Sequence, residues 1–307
     1  MEKTQLDNCI ACGGEVTISL REVRDPDSLD AFTIGRCANC GLGKTEPVPQ
    51  DLGVYYSDQY YGNRHGFTQN LCNRRRLRWI ESQRPDHNQR RLLDIGCGDG
   101  SFLQLARQAN WEAFGVERSP QSARMAGLEV FESIAQVSGT FDCITLWHVL
   151  EHLENPEEFL CAIRRLLSDN GTLFIAVPDF GSLQAKLFGK HWLHLDVPRH
   201  LFHFTQRSIA HMFDRHGIAA QRMRASELEY DLMGWVQSGL NCVYRHPNQL
   251  LKILMGRKIE LNFISRAIHL ALGVASSLLA FVPTAITGYL GRGGTLVIVA
   301  KRNQNTA

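Results

Sequence analysis

The strongest chemical pattern in the sequence is an acidic residue followed by three closely spaced glycines. The segment reads Asp94-Ile95-Gly96-Cys97-Gly98-Asp99-Gly100. Apolar residues before it predict a buried strand, and Phe102, Leu105 and Ala106 after it recur at helical spacing. Glycine lets the backbone turn sharply and approach a ligand, and the amides that open a helix then face that ligand. The segment therefore predicts a strand, a ligand-binding loop and a helix; the alternative is an ordinary glycine turn in an α/β protein.

The spacing of these glycines is not that of a dinucleotide site. A Gly-x-Gly-x-x-Gly pattern would need glycine at position 101, which is Ser101. A second predicted strand, residues 112–117, ends in Glu117, where α/β nucleotide folds hold ribose hydroxyls with a carboxylate. Together these residues resemble the class I S-adenosylmethionine-dependent methyltransferases. The resemblance implies S-adenosylmethionine as the cofactor and a binding site that includes Asp94, Gly96, Gly98, Gly100 and Glu117.

A third segment belongs to the same predicted site. Residues 141–146 predict a strand, and the sequence after it reads Trp147-His148-Val149-Leu150-Glu151-His152-Leu153. Ligands of doubly wound sheets bind beyond the carboxyl ends of the strands. The segment resembles the post-strand motif of small-molecule methyltransferases, including the quinone O-methyltransferases, and this resemblance adds Trp147 and His148 to the cofactor site. It lacks the Asn/Asp-Pro-Pro-Tyr/Phe motif that is often found in nucleic-acid enzymes that methylate amines.

Two histidines are candidates for handling the proton that a methyl acceptor loses, because the histidine pKa lies near neutral pH. His200 lies in a histidine-rich loop with Trp192 and Asp196, which resembles the corresponding loop of a bacterial methyltransferase subfamily. His152 follows the fourth predicted strand. The competing interpretation is structural, with His200 tying the loop to a helix that Thr205 caps. A second metal site among the loop histidines lacks a convincing ligand spacing.

Four of the nine cysteines form two Cys-x-x-Cys pairs near the start of the chain. They are Cys9, Cys12, Cys37 and Cys40. A predicted hairpin with a turn at Asp25-Pro26-Asp27 joins the two pairs. Four thiolates suit a tetrahedral zinc ion with no open position, which is a structural site. We predict a zinc ribbon that depends on its metal for stability, in a cytoplasmic protein whose cysteines stay reduced.

The elements that position these groups predict a Rossmann-like, doubly wound α/β sheet of seven strands. The predicted divisions are the zinc ribbon (1–46), a connector with a tyrosine cluster and a basic helix (47–88), a methyltransferase-like core (89–227 and 291–303) and a helical, partly apolar insertion (228–290). The insertion lies between the predicted sixth and seventh strands, residues 218–224 and 295–300. Asn155 and Gly171 are predicted to lie at the two ends of one helix.

Residues 267–290 of the insertion are apolar and long enough to cross a bilayer, and Pro283 is predicted to break them. A single crossing would leave the last strand on the wrong side, and the rest of the insertion is too charged for a return crossing. We therefore predict a helix or re-entrant hairpin at a membrane interface, with residues 245–290 against anionic head groups. The alternatives are a homodimer surface and a hydrophobic lid over the substrate pocket.

Composition provides the remaining expectations. The 307 residues carry a formal charge of +2, so nothing in the overall balance demands a polyanionic partner such as nucleic acid. We predict methyl transfer to a hydroxyl or activated carbon of a small or lipid-linked molecule, in the cytoplasm or on the inner face of the membrane. A zinc ribbon before such a core also resembles sugar C-methyltransferases. The alternatives are an RNA methyltransferase that binds through the ribbon and the Arg74–Arg78 helix, and a cofactor-binding subunit without catalysis.

Overall fold

The computed structural model describes residues 7–56, 68–83, 90–224, 226–257, 259 and 261–303. The strands of these residues are β1 (Val16–Arg24), β2 (Ala31–Cys37), β3 (Gly43–Glu46), β4 (Arg91–Ile95), β5 (Glu112–Val116), β6 (Glu129–Phe131), β7 (Phe141–Trp147), β8 (Leu167–Pro178), β9 (Phe202–His203), β10 (Ile218–Arg224) and β11 (Thr295–Arg302). The helices are α1 (Gln69–Ser82), α2 (Ser101–Gln108), α3 (Gln121–Met125), α4 (Pro156–Leu166), α5 (Leu183–Phe188), α6 (Gln206–Arg215), α7 (Leu228–Val243), α8 (Gln249–Leu254) and α9 (Phe263–Tyr289).

Seven strands form one sheet in the order β10-β11-β8-β7-β4-β5-β6. β4 pairs in parallel with β5 on one side and with β7 on the other. β7 is buried along its whole length, as expected for a parallel sheet that helices cover on both faces. The carboxyl ends of β4, β5 and β7 therefore meet at one edge. The predicted seven-stranded, doubly wound α/β fold is confirmed, and β10 and β11 are the predicted sixth and seventh strands.

The described residues form two compact units. The sheet unit comprises Gln69–Val177, Ala210–Met223 and the chain from Val297; the ribbon unit comprises the chain up to Thr68, Pro178–Ile209 and Arg224–Leu296. The sheet unit has an apolar core in which α2 packs on the strands through Phe102, Leu103 and Ala106. The ribbon unit has a separate core.

The ribbon unit contains a four-stranded sheet in the order β1-β2-β3-β9. The turn between β1 and β2 forms at Asp25, whose Oδ2 accepts hydrogen bonds from the amides of Asp27 and Ser28 at 2.9 and 2.6 Å. Phe32 and Ile34 of β2 share their core with Trp192. The predicted hairpin is confirmed, and its apolar side chains pack against residues far along the chain. In the predicted tyrosine cluster, residues 57–61 lie outside the described residues.

One predicted helix boundary is wrong. Gly171 does not end α4, because the helix ends at Leu166 and β8 begins at Leu167. A Cβ on Gly171 would lie 2.9 Å from the Phe141 carbonyl oxygen and 2.8 Å from the Leu167 side chain. The glycine therefore lets a strand pass close to its neighbour, which is a common reason for glycine inside a strand.

The insertion between β10 and β11 consists of α7, α8 and α9. Pro283 does not break the apolar segment, since α9 continues through it to Tyr289. The proline removes one backbone donor, and the helix keeps its remaining hydrogen bonds on both sides. The described part of the insertion thus contains one long helix, where a re-entrant hairpin was one of the two expected forms.

Candidate active site and metal centre

The predicted cofactor loop lies at the carboxyl edge of the sheet, between β4 and α2. The amides of Gly96 and Cys97 donate to the Val116 carbonyl at 2.7 and 3.2 Å. These bonds tie the loop to the end of the neighbouring strand β5. The backbone of Gly100, at the entrance of α2, has a φ of 78°, in the left-handed region that favours glycine.

The three glycines of the loop differ in what surrounds their α-carbons. A Cβ on Gly96 would lie 2.4 Å from Val149 Cγ2, and one on Gly100 would lie 2.2 Å from Leu128 Cδ1. A Cβ on Gly98 would meet nothing within 4 Å. Packing within the protein is therefore enough to require glycine at Gly96 and Gly100, and their contact with a ligand stays a prediction. Gly98 is the glycine that leaves the backbone open.

Glu117 follows β5 and faces this loop. Its Oε2 accepts the Gly98 amide at 3.0 Å, and its Oε1 accepts the Ser119 amide at 3.3 Å. A carboxylate oxygen can accept a second hydrogen bond, and the side chain is only half-buried. The carboxylate is thus fixed beside the loop with acceptor capacity left over, which suits a pair of ribose hydroxyls.

Asp94 supports the loop from inside the sheet. Its side chain is buried, and its Oδ1 accepts the hydroxyl of Thr145 on β7 at 2.5 Å. Burial raises the pKa of Asp94 to about 7, against the opposing effects of the Thr145 hydrogen bond and the nearby charge of Arg76. A carboxyl whose pKa is shifted this far, at the edge where ligands bind, is typical of functional sites.

Trp147 and His148 lie where β7 ends. The Trp147 ring is buried against Phe102 and Phe174, with centroid distances of 6.3 and 6.4 Å. Among the described residues, its indole N–H has no hydrogen-bond partner. His148 has a φ of 56°, which is rare for a residue with a side chain, and its amide donates to the Ala176 carbonyl at 2.9 Å. Backbone strain of this kind is concentrated at functional sites.

The contribution of α1 to this site was not predicted from the sequence. Gln69 Nε2 and Asn73 Nδ2 donate to the Ser101 hydroxyl at 2.7 and 3.1 Å, which fastens the start of α2. Arg76 is buried, and its guanidinium carbon lies 4.7 Å from the centre of the Trp147 ring. A cation at this distance is attracted to an aromatic ring.

The predicted basic helix is therefore not uniformly solvated. Arg74 and Arg78 are exposed, whereas Arg76 lies on the buried face with Cys72 and Ile80. The spacing of four residues between these three positions is the signal that could have identified Arg76 as inward-facing. The surface that remains for an RNA contact is smaller than the sequence suggested.

The two predicted proton-handling histidines lie in different units. His152 ends a short 3-10 turn after β7 in the sheet unit and is partly exposed. His200 is buried in the ribbon unit, with its Nδ1 2.9 Å from the His194 carbonyl oxygen. A carbonyl only accepts, so Nδ1 carries the proton of this bond. In a neutral ring Nε2 is then the unprotonated nitrogen, and it lies 3.9 Å from Asp196 Oδ2.

Arg199, next to His200, was not singled out from the sequence. It is 1% exposed, and its Nη1 and Nη2 lie 2.8 Å from Asp25 Oδ1 and 2.7 Å from Asp196 Oδ1. The Asp196 carbonyl in turn accepts the His200 amide at 3.0 Å. Arg199 thereby links the turn after β1 to the histidine loop. Asp25 was recognised only as a turn residue, because the partner of a buried ion pair is not visible in the sequence.

The four ribbon cysteines converge as predicted. The Sγ atoms of Cys9, Cys12, Cys37 and Cys40 all lie within 4.8 Å of one another. The Cys9–Cys40 and Cys12–Cys37 pairs are separated by 3.5 Å. Zn–S bonds of about 2.3 Å in a tetrahedron give S···S edges of about 3.8 Å, so the sulfurs can hold a zinc ion. None of the nine cysteines, all within the described ranges, forms a disulfide.

Part of the chain is similar to known proteins. The profile of a family described as methyltransferase domain matches residues 64–221, just over half of the chain. A ubiquinone biosynthesis O-methyltransferase of Bordetella avium is 30% identical over 115 residues, which are 33% of this chain and 48% of the relative. The chain thus spans about half the length of that relative.

Two further matches are longer. An enzyme with the same name from Aromatoleum aromaticum is 25% identical over 209 residues, covering 62% of this chain and 82% of the relative. The crystal structure of a SAM-dependent methyltransferase from Archaeoglobus fulgidus aligns with 82% of this chain and 100% of its own, at 19% identity and a TM-score of 0.47.

Proposed function

Because the chain belongs to the methyltransferase-domain family, we propose that it transfers a methyl group from S-adenosylmethionine to a hydroxyl or activated carbon of a small or lipid-linked molecule. The observation that carries the proposal is the open α-carbon of Gly98 beside the fixed carboxylate of Glu117. At the carboxyl edge of a parallel sheet, nucleotide-binding folds use a glycine-rich turn that a ligand can approach and a carboxylate that binds the ribose hydroxyls.

The residues at this edge fit the proposed cofactor. Glu117 would accept hydrogen bonds from ribose hydroxyls, and the Gly98 backbone would lie against the ligand. The indole N–H of Trp147 is a buried donor that needs an acceptor. When bound, S-adenosylmethionine supplies an electrophilic methyl group on a sulfonium. The protein's own tasks are to hold the acceptor in line with that methyl group and to remove one proton.

We assign the removal of the proton to His200 or His152. The acceptor hydroxyl would lose its proton to an imidazole nitrogen while its oxygen gains the methyl group, and the methyl–sulfur bond would break to leave S-adenosylhomocysteine. The resulting imidazolium would then release the proton to water. The Nε2 of His200 is suited to this role by the hydrogen bond that holds the proton on Nδ1.

The relatives are named ubiquinone biosynthesis O-methyltransferases, which favours oxygen as the atom that receives the methyl group. The RNA alternative is disfavoured by the inward position of Arg76. Release of S-adenosylhomocysteine with lipid, sugar or RNA pools would distinguish these acceptors. A cofactor-binding subunit without catalysis would bind S-adenosylmethionine and release no product with any of them.

We also propose a structural zinc ion on Cys9, Cys12, Cys37 and Cys40. The distances between the four sulfurs support it, and four thiolates leave no coordination position for a substrate. The metal would join the turn that precedes β1 to the turn between β2 and β3, and it would take no part in methyl transfer.

The cofactor site is tested by adding a single methyl group to Gly98. Gly98→Ala should weaken S-adenosylmethionine binding by about tenfold or more in titration calorimetry, because the Cβ would occupy space left for the ligand. Glu117→Gln should also weaken binding, because it removes the charge and half of the acceptor capacity.

Gly127→Ala is the matched control for this experiment. Gly127 has a φ of 72° and nothing within 4 Å of an added Cβ, so the variant carries similar backbone strain outside the loop. It should bind S-adenosylmethionine like the wild type. Equal affinities for Gly98→Ala, Gly127→Ala and the wild type would overturn the proposed placement of the cofactor.

The histidines are tested by turnover with the acceptor pool that gives product. His200→Asn or His152→Asn should lower kcat by about 100-fold or more and leave the affinity for S-adenosylmethionine unchanged, since a base acts only in the transition state. His246→Asn, at an exposed position, is the control. Wild-type turnover in both variants would show that another group or water takes the proton.

A further inference from the structure

The longest helix, α9, has its polarity reversed relative to a water-exposed surface helix. Its buried positions hold small or polar residues, namely His269, Gly273, Ala280, Thr284 and Thr287. Its exposed positions hold large apolar side chains, and Leu278 and Leu279 are 74% and 77% exposed. A helix on the surface of a soluble protein normally turns its apolar stripe inward and its polar face outward. The outer face of α9 is therefore suited to surroundings other than water.

Several hydroxyl groups of α9 are bonded within the helix. Thr284 and Thr287 donate to the carbonyls of Ala280 and Pro283, each at 2.7 Å. The Ser277 hydroxyl donates in the same way to the Gly273 carbonyl, also at 2.7 Å. Lipid offers no partner to a polar group, so a helix in contact with acyl chains must satisfy its hydroxyls internally. Ser277, which is half-buried, meets that requirement, whereas Thr284 and Thr287 lie on the buried face.

The inner face of α9 is packed against the rest of the insertion. Ala280 shares an apolar cluster with Val236 of α7 and Leu250 of α8. The rings of His269 and Tyr244 are stacked with their centroids 4.5 Å apart. The inner face is therefore occupied, and the question of a partner concerns only the outer face.

The outer face is too broad for a single neighbouring helix. At about 100° per residue, the five buried positions fall in an arc of about 60°, and the large exposed apolar side chains spread over about 200°. A helix from a second copy of the chain would cover a stripe of roughly 100°. It would leave about half of the apolar arc in water, whereas a lipid surface would cover the arc completely.

The charges of this part of the chain favour an anionic surface. After Asp231 the sequence contains eight lysines and arginines and a single acid, Glu260. Arg266 in the first turn of α9 and Arg292 just beyond its end are both exposed. Basic residues at both ends of an apolar helix are placed to reach lipid phosphates.

Not every basic residue of the insertion is available for this role, which corrects the sequence-based expectation. Lys252 is buried, and its Nζ lies 2.6 Å from the Pro26 carbonyl oxygen and 2.7 Å from Asp27 Oδ1. Arg257 also lies near Asp27, at 3.9 Å. Lys258 lies outside the described residues.

We propose that α9 is an in-plane membrane anchor, which lies in the interface of a bilayer with anionic head groups. Its apolar arc would enter the acyl region, with Arg266 and Arg292 at the level of the phosphates. The helix is long and apolar enough to cross a membrane, and only 22% of its most apolar 18-residue stretch is buried. However, β10 and β11, which flank the insertion, are neighbours in one sheet. Both ends of the insertion therefore remain on the same side of the bilayer.

Liposome flotation tests this proposal without requiring methyl transfer. The full chain should float with vesicles of phosphatidylcholine and phosphatidylglycerol, and less so with phosphatidylcholine alone. The double variant Leu278→Glu/Leu279→Glu should reduce the bound fraction by about tenfold or more, because it places two charges in the apolar arc. Both side chains are exposed, and glutamate favours helix, so circular dichroism should be unchanged.

A second variant and a control make the result decisive. Leu71→Glu/Met125→Glu adds the same charges at exposed apolar positions of the sheet unit and should float like the wild type.

Phe281→Trp places a fluorophore in the middle of α9, and the emission that it adds to the wild-type signal should be quenched by lipids brominated on the acyl chain. Flotation that the Leu278→Glu/Leu279→Glu variant retains, or an added emission that brominated lipid leaves unchanged, would overturn the proposal. A wild type that fails to float and sediments as a dimer, which the double variant dissociates, would assign the outer face to a second copy.

Discussion

At the scale of single residues, three buried carboxyls make folding sensitive to pH. Burial raises the pKa of Asp94 and Asp231 to about 7, and that of Asp179 to about 6, from an ordinary value of 3.8. Between pH 4 and 7 the folded protein therefore binds protons that the unfolded chain has released. Stability from these groups is greatest below pH 4, falls as the pH rises through this window, and levels off above the folded pKa values.

Asp231→Asn isolates one of these groups at a position outside the proposed cofactor site. The amide cannot ionise, so the variant should lose less stability than the wild type between pH 5 and 8. A shift from 3.8 to about 7 corresponds to a difference on the order of 4 kcal/mol at most. The hydroxyls of Thr295 and Ser226, which favour the charged form, act in the opposite direction to burial.

Urea unfolding at each pH measures this difference. The gap in unfolding free energy between Asp231→Asn and the wild type should grow in favour of the variant as the pH rises. Asp94 and Asp179 are present in both proteins, so their contributions cancel. Curves that stay parallel from pH 5 to 8 would show that the Asp231 carboxyl has an ordinary pKa in the folded protein.

The residue types in the sequence predicted the position of the cofactor loop, but they did not predict what surrounds each residue of the site. The acid-glycine segment placed the loop correctly, but the structure alone distinguishes Gly98, which faces open space, from Gly96, which packs against Val149. Arg199 shows the same limit, because its partner Asp25 is distant in sequence and appeared to serve only a turn. Long-range contacts of this kind depend on the fold, so a single sequence cannot supply them.

At the scale of elements, the sequence rules for helix boundaries were correct where contacts between neighbouring residues determine the boundary. Asn155 accepts the Glu158 amide and Pro156 begins α4, as the capping pattern predicted. The predicted C-terminal boundary of α4 is wrong because Gly171 lies in a strand, where it allows close approach to the neighbouring strand. The rule that helices end at glycine does not consider this second use of glycine. Pro283 failed for a similar reason: one lost hydrogen bond does not interrupt a helix that packing against α7 and α8 supports on one side.

α9 shows how an element can be recognised from the sequence while its orientation is not. Its apolar composition is plain in the sequence, and so is its length. Which face turns inward depends on α7 and α8, because Ala280 packs with Val236 and Leu250, and Gly273 approaches Leu250. A Cβ on Gly273 would lie 2.8 Å from Leu250 Cδ2. Close approach of backbones through small residues is also how helices associate in lipid.

At the scale of the whole molecule, the proposed ligands bind to different units. The glycine loop and Glu117 belong to the sheet unit, and the four cysteines belong to the ribbon unit. Each unit has its own apolar core, so each ligand should stabilise the unit that binds it by mass action. The ribbon is nevertheless more than a metal-held hairpin, because Phe32 and Ile34 pack with Trp192 in one core.

Hydrogen exchange with mass spectrometry can separate these two effects. S-adenosylmethionine should slow exchange in residues 91–119, whereas removal of zinc by a chelator should speed exchange in residues 9–46 and leave β4 unchanged. Cys37→Ser should lower the zinc content, measured by plasma mass spectrometry, from about one ion per chain to a small fraction, and should reproduce the chelator pattern. Cys161→Ser, which removes an exposed thiol elsewhere, should keep both its zinc and the wild-type exchange pattern. Equal zinc in Cys37→Ser and Cys161→Ser would exclude the four-cysteine site, and faster exchange in β4 without zinc would show that the metal supports both units.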